Sequence, residues 1–85
     1  MASIIGTSAL CCVRVWCTKV ERLAISKAME GNTPPWLMMA TFQPERNNRF
    51  VTWFTIAQVG GNNAEDLIVQ WLRERVGMDV KERTE

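Results

Sequence analysis

The run Phe50-Val-Thr-Trp-Phe-Thr-Ile-Ala-Gln-Val59 carries large apolar side chains at both odd and even positions. At a strand period of two, Phe50, Phe54 and Ile56 point to one side, while Val51, Trp53, Ala57 and Val59 point to the other. Such a strand needs cover on both faces. A chain of 85 residues has room for one layer of helices, which covers one of them. The other face is expected to be offered to something outside the domain.

The rest of the pattern supplies that layer. Ala9–Cys17 reads as a first strand, with small or apolar residues at Ala9, Cys11, Val13, Val15 and Cys17. Thr18-Lys-Val-Glu21 has the form of a capping box, and the helix it starts is expected over about 19–30 with Val20, Leu23, Ala24 and Ala28 as its apolar stripe. Gly31, Asn32 and Pro34-Pro35 end it. Trp36–Gln43 reads as a second strand, joined to the third by the five-residue hairpin loop Pro44-Glu-Arg-Asn-Asn48. Beyond Gly60-Gly61, Asn62 or Asn63 is placed to cap a second helix whose stripe is Leu67, Ile68, Trp71, Leu72 and Val76, with Gly77 just past its end. Met78-Asp-Val-Lys81 has the alternation of a short edge strand.

The predicted fold class is therefore α+β. It is a small antiparallel sheet with two helices on one face, in the order β-α-β-β-α or, with the last strand, β-α-β-β-α-β. The arrangement is ferredoxin-like or a three-stranded relative, in a single domain over residues 1–85.

If the odd residues of the first strand face the helices, Leu10, Cys12, Arg14 and Trp16 emerge on the open side. The hairpin is expected to add Leu37, Met39 and Thr41 together with Phe50, Thr52, Phe54 and Ile56, and a one-residue change of register would exchange its faces. The expected partner-binding residues are thus Arg14, Trp16, Met39, Phe50, Phe54 and Ile56. Trp, Phe, Met and Arg are the types enriched at interface cores, so another protein, or a second copy in a homodimer, is the expected partner.

Arg46-Asn-Asn-Arg-Phe50-Val51-Thr-Trp53 resembles the third-strand octamer of RNA-recognition domains at its first basic position, its fifth aromatic, its sixth aliphatic and its final aromatic. Asn47-Asn48-Arg49 replaces the Gly-aromatic-Gly segment, and Arg14 stands where the first strand would carry a stacking aromatic. The resemblance covers eight residues and implies a single-stranded nucleic acid as the alternative partner, with Arg14, Arg46 and Arg49 near phosphates.

Composition narrows the chemistry. Apolar residues at 47 % and charged residues at 22 % fit a folded globular chain. Ten Lys and Arg against nine Asp and Glu leave a net charge of +1, unlike a dedicated duplex-DNA binder, a DNA mimic or a protein held on an anionic membrane. The absence of His and Tyr removes the usual general base, the commonest metal ligand and a phenolic acid. Cys11, Cys12 and Cys17 lack the spacing of a structural zinc site and read as thiols of a reducing cytoplasm. Glu65-Asp66 reads as a helix start, and Gly60-Gly61 has neither phosphate-binding glycine pattern. No catalytic residue, metal, cofactor, small-molecule substrate or membrane span is expected. Taken together, the chain reads as a non-enzymatic cytoplasmic binding protein, of the kind phages and mobile elements encode as small inhibitors.

Overall fold

A computed structural model of the chain describes residues 10–57, 61 and 63–80. Strand β1 (Leu10–Thr18) leads into helix α1 (Lys19–Glu30), the hairpin of β2 (Leu37–Pro44) and β3 (Arg49–Ala57) follows, and helix α2 (Ala64–Trp71) continues as one wide turn over Leu72–Val76. The three strands form an antiparallel sheet in the order β1-β3-β2. Both helices pack on one face of it, and Ile25 of α1 and Ile68 and Trp71 of α2 join Val15, Phe54 and Ile56 in a single core.

Local chemistry explains the elements. Thr18 accepts from the Glu21 backbone N–H at 3.1 Å while the Glu21 carboxylate accepts from the Thr18 N–H at 2.9 Å, which satisfies two donors at the start of α1. Asn63 caps α2 in the same spirit, its side-chain oxygen accepting from Glu65 at 2.8 Å and Asp66 at 3.4 Å. At the hairpin, Asn47 and Asn48 both take positive φ, 58° and 59°, and the Arg49 N–H donates to the Arg46 carbonyl at 3.2 Å. That is the pattern of a type I′ turn, whose twist matches the strands it joins, so the connection is tighter than a five-residue loop.

Three expectations are corrected. The helices cover the side of β3 that carries Thr52, Phe54 and Ile56, each 0 % exposed, so Phe54 and Ile56 belong to the core and not to the open face. Phe50 shares their side and packs against the same core. In β2 the faces change at one extra residue. Leu37 pairs with Ile56 and Met39 with Thr55, which leaves Met38 as a bulge, turns Leu37 inward and leaves Met39 outward. On α1 the buried stripe is Ile25 with Ala28 and Met29 against the core, and Val20 and Leu23 face solvent.

At the other end, Gly77 adopts φ 83° and its N–H reaches the Leu72 carbonyl at 2.8 Å, closing the wide turn. The chain then folds back with Met78 and Val80 buried and Asp79 exposed, and the Arg73 guanidinium donates to the Val80 carbonyl at 2.7 Å. The alternation that suggested a fourth strand is real, but in residues 78–80 it serves to plug the core without a ladder. The remainder of that strand, from Lys81, lies outside the described residues, as do Ala9 and Val59.

The two sides of β3 separate in a stability experiment. Phe54→Ala empties a buried site that meets Trp71 edge-on at 6.3 Å and is expected to lower unfolding free energy by about 3–5 kcal/mol. Trp53→Ala, at a side chain 37 % exposed, should cost less, about 1–2 kcal/mol of partial apolar burial and cation–π contact. Urea denaturation of both variants measures the difference, and equal losses would contradict the facing described.

Candidate functional site

The helix-free face is built from alternate residues of all three strands. The register sets Leu10, Cys12, Arg14 and Trp16 of β1 opposite Ala57, Thr55, Trp53 and Val51 of β3, and sets Met39, Thr41 and Gln43 of β2 opposite Thr55, Trp53 and Val51. Of the expected site residues, Arg14, Trp16 and Met39 are therefore brought together here, and Phe50, Phe54 and Ile56 are not. Trp53, omitted from that set, takes a central position and is 37 % exposed. Its signal was the strand alternation itself, once the covered side is known.

Arginine and tryptophan organise this face. The Arg14 guanidinium lies 5.7 Å from the centroid of its cross-strand neighbour Trp53, and Arg49 lies 5.4 Å from Trp16. Val51, opposite Trp16 on the same face, is only 4 % exposed. Each indole of the face has an arginine over it, which sets a polar group beside its apolar area.

The face changes character along the strands. At the hairpin end, Trp16, Glu45, Arg46, Asn47 and Arg49 line a depression of about 290 Å³. At the far end Leu10 is 62 % and Met39 50 % exposed, with Cys12 also exposed. Arg14 stands between the two ends.

The octamer's geometry departs from that of a base-stacking strand. Phe50, its matched fifth aromatic, is turned to the helix side, where the Arg22 guanidinium lies 5.2 Å from its ring and 5.2 Å from that of Phe42. The outward residues of this stretch are Arg49, Val51 and Trp53. Arg14 and Arg49 do lie on the open face, and Arg46 adjoins it in the depression.

The cysteines differ by position. Cys17 is buried with its Sγ 3.3 Å from the Thr52 hydroxyl, and burial pushes its thiol above the ordinary value of 9.0. Cys12 is exposed on the open face. Among the described residues no cluster of His, Cys, Asp or Glu is arranged to hold a metal ion, and no helix is long and apolar enough to cross a membrane.

Iodoacetamide should accordingly label Cys12 in the folded protein while Cys17 stays unmodified, as intact-mass and peptide spectra would read. Because the folded thiol of Cys17 has the higher pKa, its contribution to stability is complete below 9.0 and is lost as pH rises through the folded value. Cys17→Ala should remove that alkaline decline in unfolding free energy.

Comparisons with protein-family models, with curated proteins and with solved structures found no match to this chain.

Proposed function

We propose that this chain is a non-enzymatic binding protein that presents the helix-free face of its sheet to another protein. The supporting observation is the surface itself. Leu10, Met39 and Trp53 are exposed on one face together with Arg14, in a domain whose helices are spent on the opposite face. These residue types are the ones favoured at interface cores, where an aromatic or Arg anchor is desolvated and the rim stays wet. A small protein that occupies a partner's surface suits the role of an inhibitor of the phage or mobile-element type, acting in the cytoplasm as its thiols suggest.

We also read the fold as ferredoxin-like short of its last strand, since β1-β3-β2 is what remains of that sheet when the strand flanking β1 is taken away. The outer edge of β1 then runs nine residues with Arg14 as its one charge and no proline. Such an edge has few of the devices that discourage strand pairing, so a homodimer through β1 is compatible with a free sheet face. The second reading, single-stranded nucleic acid, draws support from Arg14, Arg46 and Arg49 lying beside Trp16 and Trp53.

A photo-crosslinking residue at position 39 tests these alternatives against one at Lys27, which is exposed on α1. The proposal expects a polypeptide adduct from position 39, diminished by Trp53→Ala, and none from position 27. An adduct confined to nucleic acid would favour the second reading. Equal adducts from both positions, or none from either, would sink the sheet-face proposal.

A further inference from the structure

The net charge of +1 conceals a separation between the layers. Among the described residues, the sheet and its hairpin hold Arg14, Arg46 and Arg49 against Glu45 alone, three cations to one anion and a net of +2. Residues 19–30 and 64–80, the helices and tail, hold five cations against six carboxylates, a net of −1. All the cations of the sheet layer are arginines, and they lie on or beside the face that no helix covers.

Two of these arginines are held near an indole. A guanidinium within cation–π reach of an indole still has N–H donors to offer, and a guanidinium matches a carboxylate in bidentate geometry. Its side-chain freedom is already reduced, so less entropy is lost when the anion arrives. Arg14 over Trp53 and Arg49 over Trp16 are both so placed, with Arg46 beside the second pair. At the far end of the same face Leu10, Cys12 and Met39 are exposed and bring no charge.

We propose that the occupant of the sheet face is an acidic, partly apolar segment of a different protein, its carboxylates received by Arg14, Arg46 and Arg49 and its apolar side chains by Leu10, Cys12 and Met39. This rests on the reading of the face as a protein-binding surface and adds the partner's chemistry to it. A second copy docked face to face would, about a two-fold axis along the strands, set these arginines against their own kind and, about an axis across them, set Arg46 and Arg49 over the uncharged end, with Glu45 the one carboxylate of the described sheet layer in either case. A nucleic acid would need indole faces free for bases, and each of the two indoles already has a guanidinium over it. It would also leave the uncharged end, around Leu10 and Met39, without phosphates to neutralise.

The test uses the full chain and three fluorescent probes. These are a short peptide with an Asp block followed by a Leu block, the same peptide with Lys for Asp, and a short oligothymidylate. The acidic peptide should bind with an affinity that falls as salt is raised. Arg14→Glu or Arg49→Glu should each weaken it by roughly tenfold, whereas Arg75→Glu on the helical layer should leave it within about twofold. Arg14→Glu should in turn gain affinity for the Lys peptide, a charge-swap that a merely unfolded variant would not show. Equal binding of the Asp and Lys peptides would overturn the acidic partner while leaving the sheet face a protein-binding surface. Binding of oligothymidylate without the acidic peptide would overturn both in favour of a nucleic acid. Failure of every probe would overturn the acidic partner, and light scattering that then reports a dimer dissociated by Met39→Asp would assign the face to a second copy instead.

Discussion

The constraint on which this structure turns is that β3, the central strand, is apolar on both sides while the helices of the described residues cover one. The inward side is resolved by ordinary means. Thr52, Phe54 and Ile56 disappear beneath Ile25, Ile68 and Trp71, and the Thr52 hydroxyl is within hydrogen-bonding distance of the Cys17 thiol. On the outward side Trp16 and Trp53 lie on neighbouring strands with Arg49 and Arg14 over them, and Val51 on the same face is 4 % exposed. The apolar exposure that remains on this face is concentrated in Leu10, Met39 and Trp53.

The end of the chain bears on the same problem. Had Met78–Val80 paired along β1, the sheet would have gained a fourth strand and the edge would have been closed. Instead the wide turn after α2, closed by Gly77 at φ 83°, returns Met78 and Val80 into the core, where Arg73 holds the Val80 carbonyl. Along residues 78–80 the apolar side chains thus reinforce the covered face, and the outer edge of β1 gains no partner from them. The open face and this edge meet at Leu10, Arg14 and Trp16, so any partner that uses one lies close to the other.

Most of the elements were legible because their signals are local. A Thr and a Glu three residues apart fixed the start of α1, an Asn at 62 or 63 before two acidic residues marked that of α2, and the run Pro44–Asn48 marked the hairpin, though not the tightness of its Asn47-Asn48 turn. The facing of β3 was not legible, for a physical reason. Period-two alternation sorts residues into two sets, but when both sets are apolar nothing in the strand says which set the helices will meet. The bulge at Met38 compounded the difficulty, since it places Leu37 and Met39 on opposite faces although their spacing predicts the same one. On α1 it is Arg22, its guanidinium 5.2 Å from the rings of Phe42 and Phe50, that turns toward the sheet, while Leu23 of the expected stripe is 54 % exposed. Of the site, Arg14, Trp16 and Met39 were readable from β1 and β2, whereas the Arg14–Trp53 pair exists only in the β1–β3 register.

The most direct test of the central claim, that the outer side of β3, with an arginine over each of its neighbouring indoles, remains open to a partner, is fluorine NMR of the chain labelled with 5-fluorotryptophan. Its four tryptophans give four resonances, which Trp-to-Phe variants assign. With a soluble anionic relaxation agent, the account predicts strong broadening of Trp53, lesser broadening of Trp16 and none of the buried Trp71, at every protein concentration. A Trp53 resonance as protected as that of Trp71 would contradict it, and would mean that the face is already filled.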